Sequence, residues 1–207
     1  MFRAMLVPSL GVTAVLAALW AAAIALAGAA SPSAHALDPA IAGSISAAWG
    51  VLQLAAIPLL GLVVGAPWTM LLGPAPLLLG EVAGLHLLLA KALGGPGVWT
   101  KGALAALLGS LAAAPLLRDP RSRPAAGTIV ACLALGGSAL ALDAAQVGLT
   151  GGHAALLASL EEWCELAMES LLTAAYLATL GRSRVLGRLL DDRGRPGQGD
   201  WTLAPIP

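Results

Sequence analysis

Residues 154–181 read AALLASLEEWCELAMESLLTAAYLATLG, an apolar run long enough to cross a bilayer that carries Glu161, Glu162, Glu165 and Glu169. At about 100° per residue, with Glu161 at zero, Glu165 falls near 40°, Glu169 near 80° and Glu162 near 100°. Tyr176 and Thr173 continue the same side of the helix, and leucine and alanine cover the rest. A stripe about 120° wide predicts a helix that turns one face to other helices or to a water-filled cavity, and the remainder to lipid.

The rest of the chain repeats the apolar theme. Of its 207 residues, 58% are hydrophobic and 11% charged, and the mean hydropathy is +0.86. Soluble domains carry about 25% charged residues, so this composition belongs with membrane proteins. Further apolar stretches of about 20 residues, the length a spanning helix needs, fall near 5–29, 40–64, 68–90, 98–117 and 125–147. Continuous Leu/Ala runs without period-two alternation favour helices over barrel strands. The breaks carry turn chemistry: Ser31-Pro32-Ser33, Gly65-Ala66-Pro67, Gly94-Gly95-Pro96-Gly97, 118–124 and 148–152. The expected fold is therefore all-α, a polytopic transmembrane helix bundle of about six spans forming one domain over 1–181. A basic, partly flexible tail follows at 182–207.

Arg3 precedes the first span, Arg118, Arg121 and Arg123 lie between the fourth and fifth, and Arg182, Arg184, Arg188, Arg193 and Arg195 follow the last. With six spans these fall on one side, which the positive-inside rule makes cytoplasmic. Lys91 and Lys101 fall on the other. A bacterial-type inner membrane with both termini cytoplasmic is the predicted setting. Ala34-His35-Ala36 has the A-x-A form of a signal-peptide cleavage site, and cleavage there would leave five spans. The apolar run before it is longer than a signal peptide uses, so retention as the first span is expected. Trp68 and Trp99 stand at span boundaries, as interfacial anchors do.

Six of the eleven acids, Glu81, Asp143, Glu161, Glu162, Glu165 and Glu169, lie within the apolar stretches, and no lysine or arginine lies in their interior. An acid at the centre of a span costs about 2.5–3.5 kcal/mol on insertion scales, so it must be protonated, bind a cation or find a partner. The 148–152 turn makes the last two spans antiparallel neighbours, which brings Asp143 and Gln146 to the depth of Glu161 and Glu162. The predicted cation-binding or proton-relay residues are Glu81, Asp143, Gln146, Glu161, Glu162, Glu165, Glu169 and Tyr176, with His86 and His153 secondary.

Other chemistries find little support. His35, His86 and His153 form no HxxxH pair, and the sequence has no haem, nucleotide or zinc signature. Cys132 and Cys164 lack CxxC spacing and read as inert buried thiols. Glu161-Glu162 resembles the opening of the EExxxR motif of the CAAX-protease family over those two residues. Leu166 holds the arginine position, and the family's histidine motifs are absent. No catalytic motif is found. A net charge of zero gives no reason to propose nucleic acid. Two functions stay open: cation handling, of a proton or a hard metal ion, and a non-catalytic accessory subunit of a larger membrane complex. In the second, a partner would supply a basic residue to the acids. The bilayer is the partner common to both.

Overall fold

The computed structural model describes residues 2–83, 85–92, 98–118 and 126–181. The basic tail at 182–207, the connections at 93–97 and 119–125 with Arg121 and Arg123, and the side chains of Glu81 and His86 lie outside the described residues. Within them the chain is helical, with no strand. The order is α1 (Phe2–Ala27), α2 (Pro32–Leu37), α3 (Ile45–Val63), α4 (Trp68–Leu72), α5 (Ala75–Ala83), α6 (Leu85–Ala92), α7 (Val98–Arg118), α8 (Ala126–Gln146) and α9 (Gly152–Leu180).

The breaks follow local chemistry. Ser31 and Ser44 cap α2 and α3, their hydroxyls accepting from the amides of Ala34 and Ala47, and Pro32 occupies the first turn of α2. Beyond α3, Gly65 takes φ +62°, the amide of Ala66 bonds the carbonyl of Gly61, and that of Gly65 bonds Leu62. This double closure needs a left-handed residue, which glycine supplies without strain.

Three helices are long and apolar enough to cross a membrane: Pro8–Ala27, Ile45–Val63 and Gly127–Gln146. Among the described residues the other three expected spans fall short of that standard. The 68–90 stretch is interrupted between α4 and α5. The break lies at Gly73-Pro74, where proline cannot donate to the preceding turn. In α7 the apolar part among the described residues is Ala106–Arg118. In α9 the four glutamates interrupt the hydropathy.

Helix α9 is the hub. At 29 residues it is the longest element, and α1, α3, α7 and α8 all pack on it. Directions follow from the cross-contacts. Thr13 of α1 meets Ser170, whereas Trp20 meets Trp163, so α1 runs antiparallel to α9. Gln146 meets Glu161 and Cys132 meets Met168, so α8 is antiparallel as well. Helix α3 runs parallel: Ser46 and Gly50 lie beside Glu162–Glu169, and Ile57 beside Leu172 and Tyr176.

The interior has two apolar clusters. Trp20, Trp163 and Leu166 join α1 to α9 toward the Asp38 end. Ile57, Val64, Met70, Ala112, Leu116, Leu172, Ala175, Tyr176 and Leu180 join four helices, α3, α4, α7 and α9, toward the Arg118 end. Large apolar side chains also face outward, including Leu62, Val63, Val130 and Leu133, each about two-thirds exposed or more. A lipid environment covers such side chains at no cost, whereas water would penalise them.

Candidate functional site

The acidic stripe of α9 divides between two neighbours. Glu161 turns toward α8, where Gln146 Nε2 donates to its Oε2 at 2.6 Å. Asp143, half-buried, sits one turn before Gln146 on the same helix. Glu162, Glu165 and Glu169 turn instead toward α3, lining a crevice with Pro39, Ser46, Ala47, Gly50 and Leu166. The separation follows from the roughly 100° between consecutive helical residues. Because α9 is enclosed by several helices, a stripe about 120° wide cannot face a single cavity.

The crevice is narrow, with a volume of about 10 Å³, the scale of one water molecule. It excludes any organic substrate. Glu169 is the most enclosed of its acids, only 4% exposed, while Glu162 and Glu165 are half-buried nearer the Asp38 end. Among the described residues no group of three or more His, Cys, Asp or Glu side chains is placed to hold a metal ion.

Asp38, in the loop between α2 and α3, is a participant the sequence did not single out. Its Oδ2 accepts from Ser159 Oγ at 2.8 Å, and its Oδ1 accepts from the amide of Ala40 at 3.0 Å. Together with the bond from Ser46 Oγ to the carbonyl of Leu37 at 2.6 Å, these contacts fold the 38–44 loop over that end of α9. A carboxylate before a proline reads as turn chemistry, and nothing local reveals that it bonds a residue 121 positions away.

Past Glu169 the polar contacts continue into the centre. Ser9 Oγ donates to Gln53 Oε1 at 2.6 Å, Thr13 and Ser170 share a hydrogen bond at 2.7 Å, and Trp49 Nε1 donates to Thr13 at 3.1 Å. The only sequence signals were Ser9 and Thr13 one turn apart and Gln53 as the sole amide in its stretch. Interhelical bonds of this kind contribute roughly 0.6–1.7 kcal/mol in membrane proteins. Thr13→Val, which keeps the shape and removes the hydroxyl, is expected to cost about 1 kcal/mol, measured by unfolding in mixed micelles.

Tyr176 lies beyond this network in the larger apolar cluster, fully buried, its hydroxyl donating to the carbonyl of Ala112 at 2.5 Å. His153 is exposed in the first turn of α9, outside the crevice lining. Glu81 lies on α5 and His86 on α6. No family model, curated protein or solved structure matches this chain.

Proposed function

We propose that this protein is a six-span inner-membrane bundle, with both termini cytoplasmic, that relays protons through the carboxylates of α9. The observation that carries this reading is the crevice in which Glu162, Glu165 and Glu169 line one wall and Ser46 of α3 the other. Successive acids lie one turn apart, so a proton has titratable stations along the helix with room for a water between them. A crevice of that size, with no three-ligand metal group among the described residues, suits a proton better than a coordinated metal.

Topology supports the reading in two ways. Helices α1 and α8 run against α9 and α3 runs with it, the alternation a six-span path requires. Arg118 ends α7 at the end of the bundle where Leu116 packs beside Leu180, and that end becomes cytoplasmic under the positive-inside rule.

The test is proton flux into proteoliposomes under an imposed pH gradient, followed with an enclosed pH-sensitive dye. Glu165→Gln/Glu169→Gln keeps size and hydrogen bonding but removes both titratable groups. It is expected to melt within a few degrees of the parent and to reduce a slow parental flux at least tenfold. Equal flux in a folded variant would refute the relay. A variant that fails to insert would assign the acids to helix packing. Native mass spectrometry of the parent adds a check: a bound metal ion lost in the variant would replace the proton with that metal.

A further inference from the structure

The run of polar side chains on α9 thins about two turns before its end. Glu169, Ser170 and Thr173 are buried polar residues, but from Ala174 to Leu180 only Tyr176 and Thr179 carry polar atoms. Thr179 returns its hydroxyl to its own helix, donating to the carbonyl of Ala175 at 2.9 Å. Tyr176 is thus the last side chain in line with the carboxylates that reaches across to another helix. It does so inside an apolar layer of Ile57, Met70, Ala112, Leu116 and Leu172.

Two irregular backbones meet the tyrosine. Gly73, at the break between α4 and α5, comes so close that a Cβ there would collide with the Tyr176 hydroxyl. On the other side stands α7, whose Ala112 carbonyl accepts the hydroxyl and whose Pro115 supplies no N–H to the same stretch of helix. Residues at the end of an element are where hinges absorb backbone change, and a proline leaves its helix one hydrogen bond short. The phenol touches both.

We propose that Tyr176 is the gate of the carboxylate path, a latch that holds the α4–α5 break against α7 and closes the path toward the Arg118 end. In this structure the polar groups reach from Asp38 to Thr173, and the apolar layer around Tyr176 separates them from the far end. Releasing the hydroxyl from Ala112 frees the ring to leave the layer and admits water behind it. The latch rests on the proton-relay reading, because a gate requires a path to close.

The experiment compares proton flux in proteoliposomes for the parent, Tyr176→Ala, Tyr176→Phe and Tyr176→Ala/Glu169→Gln, with melting temperature as the folding check. Tyr176→Ala is expected to raise flux at least tenfold, and Glu169→Gln in the same chain to remove that rise. Tyr176→Phe, which keeps the ring and loses only the bond to Ala112, is expected to raise flux severalfold. A folded Tyr176→Ala with parental flux overturns the gate and leaves the relay to its own test. A rise that survives Glu169→Gln also overturns it, because the leak would then bypass the carboxylates. Should Tyr176→Ala not fold, Tyr176→Phe decides alone, and unchanged flux there overturns the latch.

Discussion

Gly73→Val is expected to destabilise the bundle by about 3 kcal/mol or to prevent its assembly, the upper end of what overpacking a close-packed interior costs. The space for a side chain is already filled. A Cβ at position 73 would meet the Tyr176 hydroxyl, lie 2.9 Å from its Cζ and 3.0 Å from Pro115 Cγ. With the hydroxyl bonded to Ala112, none of these atoms has an easy escape. Tyr176 is fully buried and bonded to Ala112, and the proline ring belongs to the backbone of α7. Gly109→Ala, also on α7, is the control, since no atom of the described residues lies within 4 Å of where its Cβ would sit. Unfolding in mixed micelles of increasing denaturing-detergent content should separate the two widely, and a Gly73→Val protein as stable as its parent would mean that the three segments are not in contact.

Trp163→Ala is expected to cost about 2 kcal/mol by the same measurement, and to loosen α1 from α9 specifically. Trp163 and Trp20 form a tilted pair with ring centroids 5.9 Å apart and planes at 51°, in a cluster with Leu166, Leu16, Ile24 and Trp49. Among the described residues its indole nitrogen has no hydrogen-bond partner, so the substitution isolates packing. Truncating a buried tryptophan in a water-soluble core costs about 3–5 kcal/mol, part of it from transfer between water and the interior. In a bilayer the separated helix meets hydrocarbon instead of water, so mainly lost contact and the cavity remain. Trp20→Ala should cost a similar amount, and the double variant less than the sum, because both remove one contact.

The helix ends were legible because they depend on residues adjacent in the chain. Gly65-Ala66-Pro67 was read as a break, and Gly65 does close α3 through a left-handed turn. The antiparallel pairing of the last two long helices followed from the short 148–152 connection, and Gln146 does meet Glu161. The 68–90 stretch shows the limit of hydropathy. Its composition is that of one span, yet Gly73-Pro74 divides it, and the consequence of that break depends on Tyr176, about a hundred residues further along.

What the sequence by itself determined is the material: apolar helices, their approximate bounds, and acids on one side of the last of them. Periodicity and turn chemistry are local, and these properties follow from them directly. Only the tertiary structure decided which acids act together. It separated Glu161 from Glu162, placed Glu162, Glu165 and Glu169 against Ser46, bonded Asp38 to Ser159, and set Tyr176 against Gly73 and Ala112. The reason is physical. A helix surrounded by neighbours offers each a different sector of its surface, and which neighbour fills a sector depends on packing between residues far apart in the chain.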